Sequence, residues 1–176
     1  MTRKEFLRLA NADEIYKYFT EEEALAAIRQ DVYTIQFIEN QTKEICLIAV
    51  KREGNSLKFV KNQTEEICLA AVEQNGYALR YVINQTEKIC LEAVKENSYA
   101  LKYVEVQTEE MCLVAVRQDG NALQYVSIQT EEICLEAVKG DKDALEYVRL
   151  DFDKETKELT VDEISNLLGY EIKIVK

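Results

Sequence analysis

A chain of 176 residues, 47% apolar and 31% charged, has the size of one ordinary domain and can bury a core without metal or disulfide staples. Its formal charge of −11 excludes general attraction to nucleic acid or anionic membrane, since a binder of either needs a concentrated basic patch. Five cysteines cannot pair completely, histidine is absent, and no apolar run approaches the ~20 residues of a membrane span, so a disulfide framework, histidine chemistry and membrane insertion are not expected.

The opening stretch MTRKEFLRLA is interrupted by Glu5 and Arg8 and lacks the apolar core and small-residue cleavage site of a secretory signal. Cytoplasmic residence is the expectation, and the Asn-Gln-Thr triplets at Asn40, Asn62 and Asn84 then read as turn plus helix cap rather than glycan acceptors. Residues 1–19 are expected to form a short helical N-terminal cap. From Thr20 the chain repeats. Cys46, Cys68, Cys90, Cys112 and Cys134 are separated by 22 residues each, and the same step carries Thr42 to Thr130, Leu47 to Leu135 and the aromatics Phe59, Tyr81, Tyr103, Tyr125 and Tyr147. A fixed period near this length is the mark of a solenoid. One step further back, Thr20, Ala24, Leu25, Ile28, Ile35 and Phe37 form a divergent first copy, in which Glu23 and Ala24 stand where later copies have isoleucine and cysteine, as suits an outer face. Six units therefore run over residues 20–151.

Within one unit, Thr108 is a helix N-cap, Glu109 and Glu110 sit where the helix dipole favours anions, and the run to Gln118 has no Gly or Pro. Asp119-Gly120 predicts a C-terminal stop with glycine free to take positive φ, as do Gly54 and Gly76 in their copies. Ala122, Leu123, Tyr125 and Val126 predict a second, shorter helical turn or two, so each unit is a helical hairpin. At 100° per residue, Ile45, Cys46, Ala49, Val50 and Leu47 spread over more than half of the helix. A lone hairpin cannot cover so wide a face; neighbours on both sides can, and small Ala49, Ala71, Ala93, Ala115 and Ala137 permit close approach. Past the repeats, FDKETKELT reads as turns, TVDEISNLLG as a capped short helix and YEIKIVK as a strand, giving a small α/β C-terminal cap over 152–176. The fold class is mainly α, an α-solenoid of six 22-residue helical-hairpin repeats.

The stretches AAVEQNGYALRYV (Ala70 to Val82) and LEAVKENSYALKYV (Leu91 to Val104) resemble short tandem helical repeats of a domain-of-unknown-function family found in bacterial, phage and giant-virus proteins. The resemblance covers Thr20 to about Val148 and implies a helical repeat fold, with no activity or catalytic residue to carry over. The first unit, with Val32-Tyr33-Thr34 at its turn, departs from the pattern.

No pattern of residues in the chain matches a catalytic or metal-binding motif. The cysteine ladder offers one thiol per unit and no histidine to complete a zinc site, so small buried apolar residues are the better account. Without histidine there is no Ser-His or Cys-His nucleophile pair, and the scattered glycines form no phosphate loop. The expectation is a non-enzymatic protein with no cofactor, no metal, no direct nucleic-acid contact and no membrane anchor. Its partner is expected to be another protein, engaged through an extended repeat surface. The candidate contacts are Glu65, Glu66, Glu87, Glu109, Glu110, Glu131 and Glu132, which stacking would align along one edge, with Tyr77 and Tyr99, which vary with Asn55 and Asn121 at the turn. The alternative is a phage or mobile-element inhibitor, anti-CRISPR-like, whose acidic row occupies the basic groove of a nucleic-acid-binding effector.

Overall fold

The computed structural model describes residues 19–149. The expected caps, residues 1–19 (of which Phe19 alone is described) and 152–176, lie outside the described residues. Between them the hairpins are present at each expected position, with no strand among the described residues. The long helices are α1 (Glu21–Gln30), α2 (Lys43–Arg52), α3 (Glu65–Gln74), α4 (Glu87–Glu96), α5 (Glu109–Gln118) and α6 (Glu131–Gly140). Each is followed by a six-residue helix of the tighter 3-10 type: η1 (Val32–Phe37), η2 (Gly54–Phe59), η3 (Gly76–Tyr81), η4 (Ser98–Tyr103), η5 (Gly120–Tyr125) and η6 (Lys142–Tyr147).

Local chemistry sets these boundaries. Thr20, Thr42, Thr64, Thr86, Thr108 and Thr130 each occupy an extended N-cap and accept through the hydroxyl from the backbone N–H three residues on, at 3.3–3.4 Å. Thr20 completes a capping box, its own N–H donating to Glu23 at 2.8 Å. The α helices end not on a left-handed glycine but on an extended residue whose N–H bonds the carbonyl of the ladder alanine, as Asn97 does to Ala93. In five units that residue is Asp31, Asn75, Asn97, Asp119 or Asp141, and its side-chain oxygen accepts from the N–H two residues on at 2.9–3.0 Å, starting the 3-10 helix; Glu53, at the end of α2, makes no such side-chain bond. The expectation of positive φ at Gly54, Gly76 and Gly120 is thus corrected: none lies in the left-handed region. The glycines answer to contact instead. A Cβ at Gly76 would stand 2.5 Å from the Ala93 carbonyl oxygen, and one at Gly120 2.5 Å from that of Ala137. Where the same slot holds Val32 or Ser98, the long helices on either side of it pack less extensively on each other.

Each α helix packs on the next α, each η on the next η, and the two layers enclose one continuous core. Ala49, Ala71, Ala93, Ala115 and Ala137 are wholly buried, as are Leu57, Leu79, Leu101 and Leu123. The 3-10 arm has a sequence reason: with three residues per turn, Gly76, Leu79 and Val82 fall in line toward the core. Cys46, Cys68, Cys90, Cys112 and Cys134 are all free and buried, at 2–5% exposure.

Candidate protein-interaction site

The turns from each η helix into the next α helix line one edge, and a glutamine that precedes each threonine cap from Thr42 to Thr130 holds them. Gln63 donates through Nε2 to the Tyr81 carbonyl at 2.8 Å and accepts through Oε1 from the Ile83 N–H at 3.0 Å. Gln41, Gln85, Gln107 and Gln129 do the same to the next unit, with the Nε2 bonds at 2.8–3.0 Å and the Oε1 bonds at 2.6–3.1 Å. Each side chain therefore satisfies one orphan carbonyl and one orphan amide of the following turn. The thiols of Cys68, Cys90, Cys112 and Cys134 point to the same Oε1 atoms at 3.3–3.7 Å, so the cysteines are weak donors as well as core residues. Burial pushes all five thiols above their ordinary value, and Cys90, also near Glu105, and Cys134 reach about 11. Such thiols are poor nucleophiles. Sequence alone does not predict the glutamine ladder, although its signal, Gln at the same 22-residue step, is present from Gln41 to Gln129.

The glutamates stand where the repeat places them. Glu65, Glu66, Glu87, Glu109, Glu110, Glu131 and Glu132 are all exposed in the first turns of their helices. Glu66 pairs with Lys43 of the preceding unit, and Lys88 follows Glu87, so positive charge interrupts the row. Three of the acidic groups come together: Glu109, Glu131 and Glu132 border a shallow cleft of about 430 Å³ that continues to Glu136 and Lys139. Among the described residues no group of three acidic or thiol side chains converges as metal ligands do.

Apolar side chains lie between these acids in full view of solvent. Ile83, Val106 and Ile128 are 67%, 78% and 80% exposed. Val106 and Ile128 wall a cleft of about 480 Å³ that has Glu109 at its rim and Cys112 within it; Val106 also borders a neighbouring cleft of about 200 Å³ with Glu87 and Cys90. The sequence shows them only by contrast, since the slots of Val106 and Ile128 hold Asn40, Asn62 and Asn84 in other copies.

The two candidate tyrosines lie on the η layer, away from that edge, and are half-buried. Tyr77 meets Tyr103 edge-to-face at 6.2 Å and Tyr99 meets Tyr125 at 5.7 Å, so both join consecutive units, as Tyr33 does with Phe59 at 6.1 Å. The Tyr99 hydroxyl also donates to Asp119, which together with burial and that carboxylate's charge pushes it up to about 12.

No helix of the described residues is long and apolar enough to cross a membrane. No curated protein and no solved structure matches the chain. The sequence pattern of one family, the domain of unknown function DUF4116, matches four times in overlapping windows, over residues 42–86, 64–108, 86–130 and 108–153. Successive windows advance by one 22-residue step, the same step that spaces the threonine caps and the glutamine ladder, and the chain belongs to this family.

Proposed function

We propose that the protein is a non-enzymatic protein-interaction module whose docking surface is the η-to-α edge, and that its partner presents a segment mixing basic and apolar residues. One observation carries this reading: Ile83, Val106 and Ile128 are held out in water, 67–80% exposed, among exposed glutamates. Apolar clusters of that kind mark interaction surfaces, and acidic groups around them select a positively charged partner. The clefts beside Val106 and Ile128 supply concave sites for two or more apolar anchors.

The alternative, an acidic inhibitor occupying the groove of a nucleic-acid-binding effector, asks for an uninterrupted anionic row. Lys43, paired with Glu66, and Lys88 break the row, and the isoleucines and valine between the acids have no place in a phosphate mimic. The two readings separate by substitution. Affinity capture from host extract, with identification of the bound proteins by mass spectrometry, should retain a partner on the wild-type chain and lose it on the double variant Val106→Asp/Ile128→Asp. Capture indifferent to that variant but abolished by reversing Glu65, Glu66, Glu109 and Glu110 to lysine, with a steep salt dependence, favours the inhibitor instead.

A further inference from the structure

A second surface has the opposite charge. On the η layer, one slot of the repeat holds Gln36, Lys58, Arg80, Lys102, Gln124 and Glu146 in successive units. The three cations are exposed, neighbouring and bounded by uncharged or acidic residues on either side. Each lies over aromatic rings: Lys58 over Phe59 at 4.6 Å and Tyr33 at 5.6 Å, Arg80 over Tyr81 at 4.5 Å, Lys102 over Tyr103 at 4.8 Å, Tyr77 at 5.1 Å and Tyr125 at 5.8 Å. The rings fix the cations in place by attraction to their faces. Burial alone would raise the Tyr103 hydroxyl, but the nearby Lys102 and Arg80 and their charges hold it below the ordinary tyrosine value. Two like charges thus act on one tyrosine, and among the described residues no carboxylate pairs with Lys58, Arg80 or Lys102. In a chain of net charge −11, with 33 acidic residues available, this concentration of unpaired cations is a built feature.

We propose that Lys58, Arg80 and Lys102, on their aromatic bed, form a docking strip for an extended acidic segment of a partner protein that carries a carboxylate at about every third residue. Packed helices repeat at ~8–10 Å, and three residues of extended or polyproline-like chain cover about 9–10 Å, so one carboxylate meets each unit. A single-stranded nucleic acid is the poorer fit. Its bases need open aromatic faces to stack on, and here the cations cover them, while the acidic remainder of the surface repels a continuous polyphosphate.

The full chain supplies the test. A fluorescein-labelled peptide of about twelve residues, with glutamate at every third position and serine or glycine between (extended at the strand rise), is titrated at low ionic strength by anisotropy. Saturable binding is expected, weakened by about tenfold or more in Arg80→Gln/Lys102→Gln through loss of two charge-assisted contacts, and retained in Arg80→Lys/Lys102→Arg. Amide shifts of the wild-type chain provide a readout that does not depend on the variants folding: the peptide should move Tyr77, Arg80, Lys102 and Tyr103. No binding by the wild-type chain, equal binding by the neutral variant, shifts confined to Ile83, Val106 and Ile128, or tighter binding of oligothymidylate than of the peptide each overturns the proposal. The edge variant Val106→Asp/Ile128→Asp leaves peptide binding intact, so this surface and the edge described above stand or fall separately.

Discussion

Replacing Gln85 by alanine tests whether the glutamine ladder holds the units in register. In the wild type, Gln85 Nε2 donates to the Tyr103 carbonyl at 2.8 Å, its Oε1 accepts from the Glu105 N–H at 3.1 Å, and the Cys90 thiol reaches the same oxygen at 3.3 Å. Alanine removes all three and leaves two backbone groups of the next turn without a partner. A net loss of ~1 kcal/mol for each backbone bond and less for the thiol gives about 2–3 kcal/mol, since water reaches the exposed Glu105 amide and offsets part of the penalty. Against a typical domain stability of ~5–15 kcal/mol that is a large effect. Urea unfolding followed by circular dichroism measures it. The control is Gln118→Ala, whose side chain makes only an exposed bond to the Lys95 carbonyl and should change stability by no more than about 0.5 kcal/mol. Gln85→Glu keeps an acceptor but sets a carboxylate against the Tyr103 carbonyl, and at neutral pH it should be no more stable than alanine. If Gln85→Ala matches Gln118→Ala and the Glu105 amide exchanges hydrogen no faster than in the wild type, the ladder carries no load and the account of the edge fails.

Ser56→Ala should raise stability by about 1 kcal/mol in the same assay, because the Ser56 hydroxyl is fully buried without a partner among the described residues and the slot holds Ala78, Ala100, Ala122 or Ala144 in the four units that follow. Two glycines should respond oppositely by thermal unfolding. Gly76→Ala costs ~2 kcal/mol or more, as its methyl meets the Ala93 carbonyl, whereas Gly140→Ala, open to solvent at the end of α6, gains about 0.5–1 kcal/mol. The five thiols should resist a colorimetric disulfide reagent in the folded chain and all react in denaturant. Stability should also fall as pH rises from about 9 toward 11: the unfolded chain releases thiol protons first while the folded chain, with Cys90 and Cys134 raised to about 11, retains them, so alkali favours unfolding. Melting temperatures across that range check the sign, and a rise would contradict it.

The hairpin period, the threonine caps and the buried ladder were legible because each is a side chain repeated at 22 residues with a single physical job. The glutamine step repeats just as strictly, yet a glutamine before a cap has no local signature, and its partners lie 18 and 20 residues on in the next unit. Only packed coordinates bring them together. The glycines misled for a related reason: Gly after Asn or Asp at a helix end is ordinarily a left-handed cap, but here the Asx side chain turns the corner and glycine makes room for a neighbouring carbonyl. Of the candidate contacts, the acidic residues could be placed on an edge from periodicity alone. Tyr77 and Tyr99 could not be told from free surface, because their ring partners, Tyr103 and Tyr125, are 26 residues away.

The exposed apolar residues of the edge have no explanation in the stability of the scaffold. At the slot of Ile83 the other units carry Glu39, Lys61, Glu105, Ser127 and Arg149, and at the slot of Val106 and Ile128 they carry Asn40, Asn62, Asn84 and Leu150, with the same hydrogen bond to glutamine holding the backbone at Lys61, Ile83, Glu105, Ser127 and Arg149. The backbone is therefore secured whatever side chain the turn presents, and a solenoid confines the effect of a substitution to its own unit and its neighbours. Asn84→Val follows directly as a probe: it should extend the apolar edge by one unit with a change in stability of no more than about 0.5 kcal/mol. A larger loss, measured by urea unfolding, would mean that the asparagine side chain contributes to the turn and that the edge is less free to vary than its geometry implies.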